Sequence, residues 1–372
     1  MKHILVLSVS AGAGHVRAAQ ALVATGQKIF PQIKMTALDV MDFTPRSFRK
    51  VYADSYMKLV DKAPLLWAYL YQSTDNHAKK SVMSTLRRQI ERLNTRSLKA
   101  EITRLAPDAI ICTHFLPAEL LSKRLDKGET LPPVWVQVTD FDVHGLWVHP
   151  HMKGYFVASA EIAARLHARG IARCDIHVTG IPVMPQFLSR LDRELCANEI
   201  GLDPTKMTIL MMSGGLGVGN IVGMVKELLT LEGNFQLIAM AGRNATLLED
   251  LNSLGVQYPA RLFPMGYTTT IERLMAASDF AITKPGGLTS AECLAMQLPM
   301  IVVSPIPGQE ERNADYLLES GAALKAVDAA AMCYKTQLLL QLPEMINDMR
   351  TNMKRVAKPQ AAADALRIVI AP

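Results

Sequence analysis

Short apolar runs rich in branched residues recur along the chain at positions 4–10, 109–112, 134–138, 155–158 and 176–178, and the stretches between them carry helical spacing. The first run feeds a tight Gly/Ala turn and then residues 17–22, whose composition is helical, so the chain opens as strand, turn, helix. After Gly180-Ile181-Pro182-Val183 the pattern restarts, with runs at 208–212, 235–239, 280–283 and 300–303 that enter Gly-rich turns. Alternating strands and helices predict mostly parallel, doubly wound sheets. The expectation is an α/β protein of two Rossmann-like domains, residues 1–185 and 186–357, joined by a proline-bounded linker within 182–204. Ligands of such sheets sit beyond the carboxyl ends of the strands, here in a cleft between the domains.

Composition narrows the class. A chain of 372 residues with 49% hydrophobic and 20% charged positions is too apolar for disorder and long enough for two cores. No run is long enough to span a bilayer. The apolar run after Met1-Lys2-His3 is short and opens into Gly12-Ala13-Gly14-His15, which argues against a signal peptide. Cys112, Cys174, Cys196, Cys293 and Cys333 are scattered, with no CxxC pair, so a reducing cytoplasm is expected and neither disulfides nor a zinc knuckle.

Net charge is +6, but thirteen Lys/Arg against five Asp/Glu put +8 between positions 46 and 104 alone. Phe48, Tyr52, Tyr56, Trp67, Tyr69 and Tyr71 interleave with these cations, as a membrane-surface element requires: rings at the headgroup level, cations on anionic lipid. A pair of amphipathic helices with a solvated basic face would read similarly. No nucleic-acid reader motif accompanies the segment.

Several turns carry candidate chemistry. Thr283-Lys284-Pro285-Gly286-Gly287-Leu288-Thr289-Ser290 lies between a buried strand and a helix over 291–296, where free backbone N–H groups make an anion site; the plainer reading is a turn capped by Thr289 or Ser290. One strand later, Gln309, Glu310 and Asn313 supply amide and carboxylate groups suited to sugar hydroxyls, or merely a solvated helix start. Phosphate and polyol loops side by side suggest a nucleotide sugar. Gly214 and Gly215, after the run at 208–212, would let backbone approach a ligand closely. The match to GxGxxG is loose, and Arg243 stands where a dehydrogenase wants an acid, so hydride transfer is disfavoured. Walker A is absent. In the first domain His15 follows a glycine turn at a helix start, placed to be a neutral base or simply to pack. Asp140, His144, Trp147 and His149 cluster after another strand; their spacing does not put several metal ligands on one helix face, and Asp140 and His144 read as cleft-lining groups that support the base.

Ile282-Thr283-Lys284-Pro285-Gly286-Gly287-Leu288-Thr289 and Pro305-Ile306-Pro307-Gly308-Gln309-Glu310, with Gly14-His15-Val16 and Met265-Gly266-Tyr267, closely resemble the glycosyltransferase family of diacylglycerol glucosyltransferases and monogalactosyldiacylglycerol synthases. The resemblance implies a GT-B fold, with the nucleotide on the C-terminal domain, and an inverting transfer without metal or other cofactor. It also implies a last helix, about 358–372, returning to the N-terminal domain. Carried onto this chain, Met265, Gly266 and Tyr267 would hold uracil and Glu292 the ribose. Gly286, Gly287, Leu288 and Thr289 would hold the diphosphate, helped by Lys284 or Arg243. Gln309, Glu310 and Asn313 would meet the hexose, His15 would be the base, and Gly14, Asp140, His144 and Trp147 would lie on the acceptor side. Alanine at position 13, where plant galactolipid enzymes carry a third glycine, looks more like the bacterial glucosyl branch. The implied partners are a UDP-sugar, diacylglycerol or a related lipid, and the anionic inner face of the cell membrane, with no nucleic acid. Another lipid acceptor, or a UDP-sugar epimerase of the same fold, is the alternative.

Overall fold

The computed structural model describes residues 1–10, 12–44, 96–212 and 220–371. The basic aromatic stretch from Pro45 to Thr95 and the turn holding Gly214 and Gly215 lie outside them. The chain divides into two compact units: residues 1–185 with 306–313 and 358–372, and residues 186–305 with 314–357.

The first unit is built on β1 (His3–Ser8), β2 (Lys34–Asp39), β3 (Ala109–Cys112), β4 (Val134–Gln137), β5 (Gly154–Phe156) and β6 (Ile176–His177), all parallel in the order β2-β1-β3-β4-β5-β6. Every residue of β1, β3, β4 and β5 is buried, which explains their uninterrupted apolar runs: a parallel strand covered on both faces has no wet side. β2, an edge strand, is half-exposed and mixed in polarity, and had no apolar run to announce it.

Helix α1 (Ala13–Ile29) follows β1, starting four residues earlier than its apolar composition suggests. Gly12, at φ 110° and ψ 140°, makes the turn into it. That backbone is strained for any side chain. Helices α2 (Arg96–Leu105), α3 (Phe115–Asp126) and α4 (Ala160–Ala168) continue the alternation. The last helix of the chain, Ala361–Ile370, packs in this unit: Ala362, Ala365, Leu366 and Val369 join Ile4, Val6, Ala19, Leu22 and Phe156 in one core. Its alanines permit close approach, as does Gly180, whose φ of 102° and lack of Cβ leave room for Lys358 and Ala361.

In the second unit β7 (Met207–Met212), β8 (Phe235–Gly242), β9 (Leu262–Gly266), β10 (Phe280–Thr283), β11 (Met300–Val303) and β12 (Ala323–Ala326) form a parallel sheet ordered β12-β11-β10-β7-β8-β9. Part of the stretch expected to be linker is ordered here: Arg193–Ile200 is a helix, capped by Asp192 through Leu195 N–H and ended by Gly201 in the left-handed region. Ile306–Asn313, which reads along the chain as part of the second domain, packs with the first unit instead. Among the described residues no helix is long and apolar enough to cross a membrane.

Candidate active site

Each sheet has one point where neighbouring strands lead their connections to opposite sides, and ligands of open α/β sheets bind beyond the carboxyl ends there. In the first unit that point lies between β1 and β3, so the turn holding His15 and the turn holding Thr113 and His114 meet. Thr113 locks the meeting. Its N–H donates to the Leu7 carbonyl at 2.9 Å, extending the β1–β3 pairing, and its hydroxyl donates to the backbone carbonyl of His15 at 3.0 Å. His15 Nδ1 lies 3.0 Å from the Thr113 carbonyl and 2.8 Å from Thr139 Oγ1. A carbonyl only accepts, so Nδ1 carries the hydrogen and the lone pair is on Nε2.

Burial holds His15 below the ordinary histidine range, opposed first by the negative charge of Asp140 and then by the Thr113 carbonyl. Desolvation is the largest cause of that lowering. Asp140 is only 4% exposed. Burial, reinforced by the nearby Asp142, raises its carboxyl, while His15 and hydrogen bonds from Gln309 and Asn313 pull the other way. Asn313, wholly buried, donates from Nδ2 to Asp140 at 3.3 Å and accepts the Phe141 N–H at 2.8 Å. Its amide, expected on a hexose, donates here to the Asp140 carboxylate, the charge that opposes the lowering of His15. Glu310 accepts the Ile306 N–H at 2.7 Å, holding its loop closed, and Gln309 sits on Asp140. Asp142 bridges Arg165 at 2.8 Å and Arg312 at 3.3 Å.

His144 Nδ1 accepts the Leu146 N–H at 3.3 Å and so caps the short 3-10 turn Gly145–Trp147. Burial first, then the positive charge of Arg169, lowers it to about 3, so it stays neutral. Trp147 packs 6.3 Å from His15 and 6.2 Å from His144, with Phe115 edge-on to it at 5.9 Å. The buried indole Nε1 of Trp147 has no hydrogen-bond partner among the described residues. Gly14 lies in the first turn of α1, beside His15. Thr113, His114 and Thr139 were not singled out from the sequence. The readable sign was a polar Thr-His pair directly after the apolar run 109–112, where a strand end meets a helix start.

In the second unit the equivalent point lies between β7 and β10. The β7 turn carries Gly214 and Gly215, outside the described residues. The β10 turn enters the helix Gly287–Met296, whose N-cap is Gly286 with no side-chain cap; neither Thr289 nor Ser290 fills that role, because the helix begins before them. Lys284, Gly286, Gly287, Leu288 and Thr289 therefore flank an uncapped helix start with donors to offer. Ser290 is fully buried in its first turn, and its hydroxyl has no partner among the described residues. Glu292 is buried one turn on. At the ends of β8 and β9, the Arg243 guanidinium lies 4.5 Å over the Tyr267 ring, which is 56% exposed, next to Met265 and Gly266.

Comparison with known proteins agrees with both halves. Residues 15–183 match the family described as monogalactosyldiacylglycerol (MGDG) synthase, and residues 208–368 match the glycosyltransferase family 28 C-terminal domain. The chain is similar to a processive diacylglycerol beta-glucosyltransferase of Bacillus pumilus (strain SAFR-032), 32% identical over 71% of this chain and 68% of that one. A protein of the same name from Bacillus cereus (strain AH187) is 30% identical over 99% of this chain and 93% of that one. Among solved structures, MurG of Acinetobacter baumannii superposes with a TM-score of 0.62 at 15% identity, covering 99% of each chain. At that identity the likeness speaks for the fold alone.

Proposed function

Since the chain belongs to the glycosyltransferase family of diacylglycerol glucosyltransferases and monogalactosyldiacylglycerol synthases, and is a glycolipid glycosyltransferase, we propose that it moves a hexose from a UDP-sugar to the hydroxyl of diacylglycerol with inversion. Glucose is the hexose favoured by the names of its relatives. The observation that carries the reading is His15, its Nδ1 hydrogen committed to Thr113 and its Nε2 left as an acceptor, with a buried carboxylate opposing it.

In the proposed reaction Nε2 of His15 takes the proton from the acceptor hydroxyl as that oxygen forms its bond to the anomeric carbon. The bond from that carbon to the UDP oxygen breaks on the opposite face, which gives a β-glycoside. Asp140 stabilises the imidazolium as it forms. In the second unit the uncapped helix start at Gly286–Thr289, with Ser290 and Lys284, would receive the diphosphate, whose charge grows as it leaves. Glu292 would hold the ribose, and Tyr267, under Arg243, would border the uracil. The transfer requires no metal, because these donors take the charge.

Diacylglycerol stays in the bilayer, so the protein must come to it, and the basic segment 46–104 is the proposed docking element. Of its described cations, Lys99 is paired with Glu129 and Arg104 with Glu101.

The test is UDP release from a panel of UDP-sugars, with and without diacylglycerol in anionic vesicles, followed by mass analysis of the lipid. Lipid-dependent release with a hexose-sized mass gain is expected, and repeated gains would mark extension of the product. Sugar conversion without lipid would instead assign an epimerase. Losing a positioned base typically costs ~100 to 10,000-fold, so His15→Ala retaining more than half its activity would remove His15 from the role.

A further inference from the structure

His114 is not needed to bind either substrate in the reading above, yet it touches the proposed base. Its ring meets that of His15 edge-on, with centroids 4.5 Å apart and planes at 81°. His114 is also the N-cap of helix Phe115–Asp126, and its Nδ1 accepts the Leu116 N–H at 3.0 Å. That bond requires a bare Nδ1, so the ring carries its hydrogen on Nε2, the opposite tautomer to His15. Its free rotation is lost to the cap, and Phe115 and Trp147 close around it at 4.1 and 6.4 Å.

We propose that His114 is a positioning residue, whose capped, neutral ring fixes the imidazole of His15 edge-on so that Nε2 faces the acceptor hydroxyl; the inference rests on the reading of His15 as base. The same turn thus grips the base twice, through the Thr113 carbonyl on Nδ1 and through the His114 ring. The ionisable groups facing His114 are His15 from α1 and His144 from the loop before its 3-10 turn; Asp140 in turn faces His15, and Arg169, Arg312 and His149 face His144. Burial, with His15 and His144, holds His114 well below the ordinary histidine range, so it remains neutral when His15 becomes charged. A charged neighbour would oppose the imidazolium; a neutral ring braces it without that cost.

His114→Asn separates the two roles, because asparagine is a good N-cap but presents no ring. Losing the ring loosens His15 and admits water around it. The expected result is a kcat about ten- to a hundred-fold lower with the KM for UDP-glucose unchanged. The acid limb of the kcat–pH profile should also move to higher pH, since hydration relieves the burial that lowers His15. In a His15→Ala background the substitution should have no further effect. An equal loss in both backgrounds, or wild-type kcat and acid limb, would overturn the proposal, and His114→Gln is judged by the same readouts should the asparagine variant fail to fold. Nitrogen-15 NMR of the ring nitrogens reads the inference without turnover. His114 should be Nε2-protonated and His15 Nδ1-protonated at neutral pH, and His15 should titrate at higher pH in His114→Asn. An unchanged His15 titration there refutes the positioning role even if the lipid activity were absent, whereas wild-type activity in His15→Ala would sink the reading of the base itself.

Discussion

Replacing Asp140 by asparagine removes one charge while nearly preserving shape, and so isolates what that carboxylate does for His15. Asp140 is 4% exposed, so water screens its field poorly, and it is the first group opposing the burial that lowers His15. A nearby opposite charge typically favours the protonated imidazole by roughly 1 to 3 pK units, or ~1.4 to 4 kcal/mol. Gln309 and Asn313 already donate to Asp140 and draw off part of its charge. The lower half of that range is therefore expected, a fall of about 10- to 100-fold in kcat. The sign of the pH effect is separate. Without the carboxylate, His15 protonates less readily, its pKa drops further below the ordinary value, and the acid limb of the kcat profile moves to lower pH. The assay is initial-rate UDP release from vesicles containing diacylglycerol, at saturating donor, over pH 5 to 9 for both proteins. A plateau within two-fold of wild type, or an acid limb displaced upward, would refute the pairing of Asp140 with the base.

Three other outcomes are expected. Ser290→Ala removes a buried hydroxyl that has no partner among the described residues, so it should stabilise the fold without UDP by ~1 kcal/mol while weakening UDP binding several-fold; unfolding curves with and without UDP check the opposite signs. Gly180→Ala places a Cβ against Lys358 and Ala361 at a φ of 102°, and should destabilise the first unit by about 2–4 kcal/mol, read from denaturant midpoints. Binding to diacylglycerol vesicles should fall as salt rises and as anionic lipid is withdrawn, at about 1 kcal/mol per lost cation contact. Flotation indifferent to both would end the electrostatic account of docking.

The interior strands were legible because a parallel strand covered on both faces must be apolar throughout: residues 109–112, 280–283 and 300–303 coincide with β3, β10 and β11. Those that escaped notice, β2, β9 and β12, lie at sheet edges, where half the surface meets solvent or loop and the apolar run dissolves. The alanine-rich last helix was expected to return to the first domain from family resemblance, and it packs in the first unit. His15 could be picked out from its glycine turn, but its usable nitrogen could not. That depends on a carbonyl ninety-eight residues away, brought alongside because β1 and β3 are neighbours in space. The roles of His114 and Asn313 were hidden for the same reason: a cap, a ring contact and a buried amide acquire meaning only from what the fold sets against them. Sequence determined the two wound sheets and the residue types at their turns, since burial and backbone freedom are local demands. Only the tertiary structure decided tautomer, charge and pairing at His15, because desolvation and hydrogen bonding there come from segments that the chain order keeps far apart.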